Sequence, residues 1–254
     1  MYNDLLTIGN FTIHGYGLMI GIGIIAAYLM TEHLARKKGM NADPVFSLLI
    51  FGVLGGILGA KLLYYITVID DIIKDPSILL NVADGFVVYG GIIGGIGAGY
   101  AVCRVKKLNF WKYLDCATPS IALAQGFGRI GCLLAGCCYG METTGWCSIT
   151  FTNSQFAPNG VPLVPTQIFS SVFDFAHFVL LYFISRKSKV PGLTSALYLI
   201  IYGVGRFIIE FFRGDLIRGS VGSLSTSQFI SIFIVAFGAL LLAKKLRDQK
   251  KTAE

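Results

Sequence analysis

The sequence predicts an all-α, polytopic membrane protein with seven transmembrane helices, its N-terminus outside and its C-terminus cytoplasmic. Three observations carry that prediction. Of 254 residues, 54% are hydrophobic and only 14% charged, whereas an average soluble domain is about one quarter charged. The mean hydropathy is +0.69. Seven continuous apolar runs each approach the ~20 residues that a helix needs to cross a bilayer. Fifteen of the 21 Lys and Arg residues fall into four clusters that follow alternate runs. This composition excludes a disordered chain, a coiled coil and a nucleic-acid-binding arm, and it argues against a soluble enzyme.

The runs lie at 13–35, 45–69, 84–103, 114–135, 166–185, 193–212 and 225–243. They are too long and too continuous for barrel strands, which alternate over about 10 residues. The first run has no basic region ahead of it and no cleavage signature. Arg36-Lys37-Lys38 stops it, so it is expected to be kept as an anchor. The basic clusters follow run one (Arg36, Lys37, Lys38), run three (Arg104, Lys106, Lys107, Lys112), run five (Arg186, Lys187, Lys189) and run seven (Lys244, Lys245, Arg247, Lys250, Lys251). With seven spans all four share one face, which the positive-inside rule makes cytoplasmic. The net charge of +7 then reports topology and contact with membrane lipids, with no nucleic-acid partner. Segments 70–83, 136–165 and 213–224 belong to the outer face. The polar 136–165 segment is expected to be the extracytoplasmic entry or lid element of one integral membrane domain, 1–254.

Six basic residues remain. Lys74 and Arg218 fall in outer segments, and Arg213 follows run six; Lys61, Arg129 and Arg206 lie within apolar runs. A charge at membrane depth costs a few kcal/mol on insertion scales, so each should be paired or face a cavity. Through run six and just past its end, Tyr202, Arg206, Glu210 and Arg213 are spaced by four, four and three, which on a continuing helix stacks them on one face. A structural Arg206–Glu210 pair is the plain reading. It leaves surplus positive charge suited to a planar, bidentate grip on phosphate. Run four adds Arg129 within Gly126-Phe127-Gly128-Arg129-Ile130-Gly131-Cys132, among glycines that allow close helix approach. Lys61 either snorkels to the interface or belongs to a site.

Cys103 and Cys116 read as packing residues. Cys132, Cys137, Cys138 and Cys147 crowd the outer end of run four, with three readings open: burial, disulfides on an oxidising face, or a reactive or metal-binding cluster. The spacing is not that of a Cys-x2-Cys zinc knuckle, so no metal is expected. Among the histidines only His14, at the outer start of run one, is placed for site chemistry; His33 and His177 fall toward other ends of runs.

Five motifs in chain order give a resemblance. His14-Gly15-Tyr16-Gly17-Leu18-Met19, Asp84-Gly85-Phe86-Val87-Val88-Tyr89-Gly90-Gly91, the Gly128-Arg129-Ile130-Gly131 stretch ending at Cys138-Tyr139-Gly140, Pro165-Thr166-Gln167, and Tyr202-Gly203-Val204-Gly205-Arg206-Phe207 running on to Arg213 resemble bacterial prolipoprotein diacylglyceryl transferases. Ser225-Thr226-Ser227-Gln228 resembles the family's motif at the last span. The resemblance covers nearly the whole chain. It implies transfer of the diacylglyceryl group of phosphatidylglycerol to the lipobox cysteine of a preprolipoprotein in the bacterial inner membrane, without cofactor. It further implies that Arg129 and Arg206 hold the phosphate, that Glu210 orients Arg206, and that Tyr16 and Tyr202 donate hydrogen bonds. Gly90, Gly91, Cys132, Cys137, Gly140, Gln167, Arg213 and His14 fall on or beside motif positions and are expected to contribute to substrate binding.

Three positions depart from the family pattern. Tyr89 stands where the family has His, Cys132 where it has Asn, and Cys137 where it has Glu. Phosphate binding is expected to survive and thiol activation to differ. A tyrosine, with a reference pKa of ~10, is a poor base at neutral pH unless strongly perturbed. The other routes are an acceptor that needs no such base and a cysteine of this chain acting as nucleophile. A related transferase with another acceptor, and a non-catalytic phospholipid-binding or transport protein, are the competing functions. The absence of paired interrupted helices in two halves argues against a transporter.

Overall fold

The structure, a computed structural model, describes residues 4–9, 11–81, 84–215 and 219–253. Arg218 lies outside them. The fold is mainly helical, and among the described residues six helices are long and apolar enough to cross a membrane. The chain divides into two compact units, one of residues 1–38 and 114–254 and one of residues 39–113.

The first unit opens on a hairpin, β1 (Asp4–Ile8) and β2 (Phe11–His14), antiparallel with Asp4 opposite His14. Gly9 at φ +60° supplies the left-handed turn residue. Helix α1 (Gly15–Lys37) follows directly, and Arg36 and Lys37 in its last turn complement the helix dipole. Helix α5 (Phe110–Ala135) leads to a polar segment carrying the short pair β3 (Ile149–Thr150) and β4 (Pro162–Leu163). That segment has its own small core of Phe151, Ala157 and Leu163, with Leu133 and Tyr139 packed against it. Helices α6 (Thr166–Lys187) and α7 (Leu193–Ile209) come next, then a 3-10 turn, Glu210–Phe212. A two-residue hairpin, β5 (Ser220–Val221) and β6 (Leu224–Ser225), leads into α8 (Thr226–Ala253).

Buried Asp115 on α5 organises the start of α7. Its carboxylate accepts from Gly192 N at 2.6 Å, Ser195 N at 2.8 Å and Ser195 Oγ at 2.7 Å. A carboxylate at a helix N-terminus satisfies donors that the helix leaves unpaired. Gly203 and Gly238 let α7 and α8 meet closely: a Cβ on Gly238 would come within 3.1 Å of Ala196 O.

The second unit pairs α2 (Pro44–Thr67) with α4 (Val88–Val105), with a short helix α3 (Ile69–Lys74) and a 3-10 turn (Pro76–Leu80) between them. The α2–α4 seam is made of glycines. A Cβ on Gly59 would meet Gly90 O and lie 2.9 Å from Gly94 Cα, and one on Gly55 would lie 2.8 Å from Gly94 O. Small residues at four-residue spacing are how membrane helices approach closely in the absence of a hydrophobic drive.

The seven runs emerge as α1, α2, α4, α5, α6, α7 and α8, with ends within a few residues of those expected except that α8 continues past 243 to Ala253. Two further features differ. The run at 114–135 becomes a 26-residue helix that is not among the six, because Lys112, Asp115, Gln125 and Arg129 dilute its apolar character. The residues ahead of α1 form a hairpin rather than a lead-in to the span.

Candidate functional site

The first unit brings Arg129 of α5 and Arg206 of α7 to one cavity of about 160 Å³, shared with Tyr202, Asp174, Ser170 and Gly205. Both arginines had to find partners once the sequence buried them, and they do so differently. The Arg206 guanidinium lies 2.8 Å from Glu210 Oε2, and its Nη2 donates to Ser227 Oγ at 2.8 Å. Side-chain exposures of 12% and 7% make this a buried pair. Arg129 Nε stands 4.0 Å from Asp174 Oδ2, beyond hydrogen-bond range. Arg206 is therefore held in place, while Arg129 is the less committed fork. Two guanidinium forks on one apolar-walled cavity offer paired donors of the kind that the oxygens of an anion accept.

Tyr202 reaches this cavity at the end of an aromatic stack. His177 lies 5.2 Å from Tyr198, and Tyr198 lies 5.7 Å from Tyr202, both pairs nearly parallel. Tyr198 Oη in turn donates to Gln125 Oε1 at 3.0 Å. Gly205 belongs to the same wall for steric reasons, since a Cβ there would run into the Phe173 ring.

Arg213 does not extend the helical stripe. Helix α7 ends at Ile209, and Arg213 is extended at φ −80°, ψ 138°. Its fork is taken by Asp215, with Nε to Oδ1 at 2.7 Å and Nη2 to Oδ2 at 2.5 Å. Its backbone bridges Gly140. The backbone approaches closely at Gly140, and the approaching chain is the protein's own. Gly140 N donates to Val164 O at 3.1 Å, and a Cβ there would lie 2.8 Å from Phe212 O.

The outer end of α5 then turns back on itself. Gly136 at φ +75° and Cys138 at φ +61° both adopt left-handed backbone, and Cys137 N returns to Cys132 O at 3.1 Å. The result places the sulfurs of Cys132, Cys137 and Cys138 within 4.8 Å of one another, half-buried. Buried Gln167 donates to Cys137 O at 2.9 Å, and Thr166 Oγ1 donates to Cys138 O at 2.9 Å, so the Pro-Thr-Gln motif holds this turn. Hydrogen bonds from the Cys132 and Cys137 thiols, with the Arg213 guanidinium beside it, hold the Cys138 thiol well below its ordinary range. The same network pushes Cys137 up, Cys132 first and Cys138 second. Tyr16, exposed on α1, is within electrostatic reach of all three thiols and of Arg129.

Other expected residues stand elsewhere. His14 caps the N-terminal hairpin, with Nδ1 2.6 Å from Asp4 Oδ1 in an exposed pair. His177 is buried mid-helix on α6, not near its end. Tyr89, Gly90 and Gly91 belong to the second unit at the start of α4, and Gly90 is buried in the seam against Gly59. Lys61, also in that unit, is buried and structural. It donates to Asn81 O at 2.6 Å and Asp84 O at 2.5 Å beneath three aromatic rings. Asp174 was not anticipated, and Ser227 stood only within the Ser225–Gln228 motif. Asp174 carried a legible signal, an acid in the middle of an apolar run.

Comparisons with known proteins give the family of the chain. The family description that matches the chain is that of prolipoprotein diacylglyceryl transferase, over residues 3–244. A phosphatidylglycerol–prolipoprotein diacylglyceryl transferase of Clostridium tetani is 53% identical over 226 residues, covering 89% of this chain and 90% of that protein. A second of that name from Clostridium perfringens is 52% identical over 245 residues, covering 95% of each. One from Finegoldia magna is 32% identical over 241 residues, covering 94% of each.

Proposed function

We propose that this chain, which belongs to the prolipoprotein diacylglyceryl transferase family, moves the diacylglyceryl group of phosphatidylglycerol onto the lipobox cysteine thiol of a prolipoprotein. The observation that carries this is the convergence of Arg129 and Arg206 on one cavity. The cysteine thiol gives up its proton to water, its sulfur attacks the glyceryl carbon, the carbon–oxygen bond to phosphate breaks, and the bonding pair leaves with glycerol phosphate. Charge grows on the departing phosphate. Donors fixed beforehand around it favour the transition state over the ground state.

Arg206, oriented by Glu210 and Ser227, supplies the fixed donor, and Arg129 closes on the phosphate from the other side. Tyr202 and Tyr16 donate further hydrogen bonds. Gly140, Gln167 and Arg213 maintain the Cys132–Cys138 turn that borders the site, while His14 holds the hairpin ahead of Tyr16. Tyr89 takes up the position of the family's His, with Gly90 and Gly91 behind it as packing.

The same reading sets the chain in the bacterial inner membrane as one integral domain with seven spans, α5 being the seventh. The N-terminus is outside, and segment 136–165 faces the outer side. The basic clusters at the C-terminal ends of α1, α4, α6 and α8 support this orientation. The test is transfer from labelled phosphatidylglycerol by the Arg206→Gln protein. Loss of one preorganised donor lowers the rate by about 10²-fold or more. Transfer at the wild-type rate would remove the phosphate role from Arg206.

A further inference from the structure

Three thiols held within 4.8 Å of one another are a ligand set as well as a packing feature. We propose that Cys132, Cys137 and Cys138 form a three-thiolate site for a zinc-class divalent cation, whose fourth position takes the acceptor's cysteine thiol. This rests on the proposed transfer reaction. Zinc–sulfur bonds of ~2.3 Å in a tetrahedron set sulfur–sulfur distances of about 3.8 Å, so the trio needs to close by about an ångström at most. The sequence spacing argued against a metal because it is read along the chain. The left-handed residues Gly136 and Cys138 fold Cys137 and Cys138 back onto Cys132.

The ligands are also supported from behind. Gln167 and Thr166 fix the carbonyls of Cys137 and Cys138, and Arg213 donates to the Cys138 sulfur, offsetting the net negative charge of three thiolates around a divalent ion. Three protein ligands with one open position is the catalytic pattern for zinc; structural sites fill all four.

The chemistry suits the reaction. A thiol that coordinates zinc gives up its proton to water and remains a nucleophilic thiolate. Its sulfur then forms the bond to the glyceryl carbon as the carbon–oxygen bond breaks and glycerol phosphate departs with the electron pair. The product thioether is neutral and a weak ligand, so it leaves the metal. No electron is gained or lost. Arg129 is within electrostatic reach of Cys132 and Cys138 and lines the phosphate cavity, so both reactants can be served at once. This supplies an activating group in a chain whose residue at the family's His position is Tyr89.

The test uses the full chain, purified in detergent, reduced and stripped with a chelator, then titrated with cobalt(II). The expected result is a tetrahedral cobalt–thiolate spectrum that saturates at one equivalent and is displaced by zinc(II). It should be lost, or its affinity lowered by at least about tenfold, in Cys132→Ser and Cys137→Ser, and kept in Cys147→Ser. A lipobox peptide should intensify the thiolate band, and its Cys-to-Ser version should not. No thiolate band, or one that persists in Cys132→Ser, overturns the site. A Cys132–Cys137 or Cys132–Cys138 disulfide in protein alkylated directly in its membranes also overturns it. A band unmoved by the peptide overturns the acceptor role. Undiminished transfer by stripped protein would overturn the metal's part in the reaction and leave the transferase reading standing. A peptide-responsive band without transfer would do the reverse.

Discussion

Replacing Gly59 by alanine tests the α2–α4 seam at its tightest point. The added methyl would meet Gly90 O and stand 2.9 Å from Gly94 Cα. Both neighbours are backbone, so no flexible side chain can move aside, and the helices must part. Overpacking of this kind costs about 1–3 kcal/mol. Alanine also favours a helix over glycine by up to ~1 kcal/mol, which would blur the result if Gly59→Ala were measured alone. Gly52 removes that ambiguity. It lies on the same helix, and a Cβ there meets nothing within 4 Å. The propensity gain is common to both substitutions, so their difference isolates the seam. Gly59→Ala should be less stable than Gly52→Ala by about 2 kcal/mol, roughly a thirtyfold change in the unfolding equilibrium. Unfolding of the detergent-solubilised proteins in parallel denaturant titrations reads this difference. Equal stability of the two variants would refute the seam, because it would mean that the helices do not touch at Gly59.

Three further outcomes follow from single contacts. Glu210→Gln leaves the Arg206 guanidinium without its counter-charge. Breaking a buried pair costs about 3–5 kcal/mol, so the melting temperature in detergent should fall well below that of the wild type. Asp115→Asn removes the charge that accepts three hydrogen bonds at the start of α7. It should cost about 2 kcal/mol in the same melt and raise hydrogen exchange at Gly192 and Ser195. Gly140→Ala drives a methyl toward Val164 O and Phe212 O, so the 136–165 segment should become sensitive to brief proteolysis while α7 and α8 stay protected.

The apolar runs made the helices legible because burying a polar backbone in lipid leaves few alternatives to a helix. For the same reason Arg129 and Arg206 could be found: a cation at membrane depth must be accounted for. Asp174 obeys the same rule, as an acid in the middle of an apolar run. The stripe from Tyr202 to Glu210 survives, whereas Arg213 leaves it, because spacing arguments assume a helix that in fact stops at Ile209. The hairpin at 4–14 was hidden because its apolar residues run on into the first span. The convergence of Cys132, Cys137 and Cys138 depends on left-handed backbone at Gly136 and Cys138. The glycine was readable as a turn, but left-handed backbone at a cysteine was not. Burial of His177 against Tyr198 came from tertiary packing that no periodicity encodes.

The central claim is that this chain alkylates a cysteine thiol with a phospholipid-derived group. It is tested most directly by incubating the purified protein with labelled phosphatidylglycerol and a lipobox peptide, beside the same peptide with its cysteine changed to serine. Label is expected on the cysteine peptide alone, in a bond stable to thiol reductants, with glycerol phosphate released in equal amount. Phosphatidylglycerol retained by the protein with no label on the cysteine peptide, or equal label on the serine peptide, would contradict it.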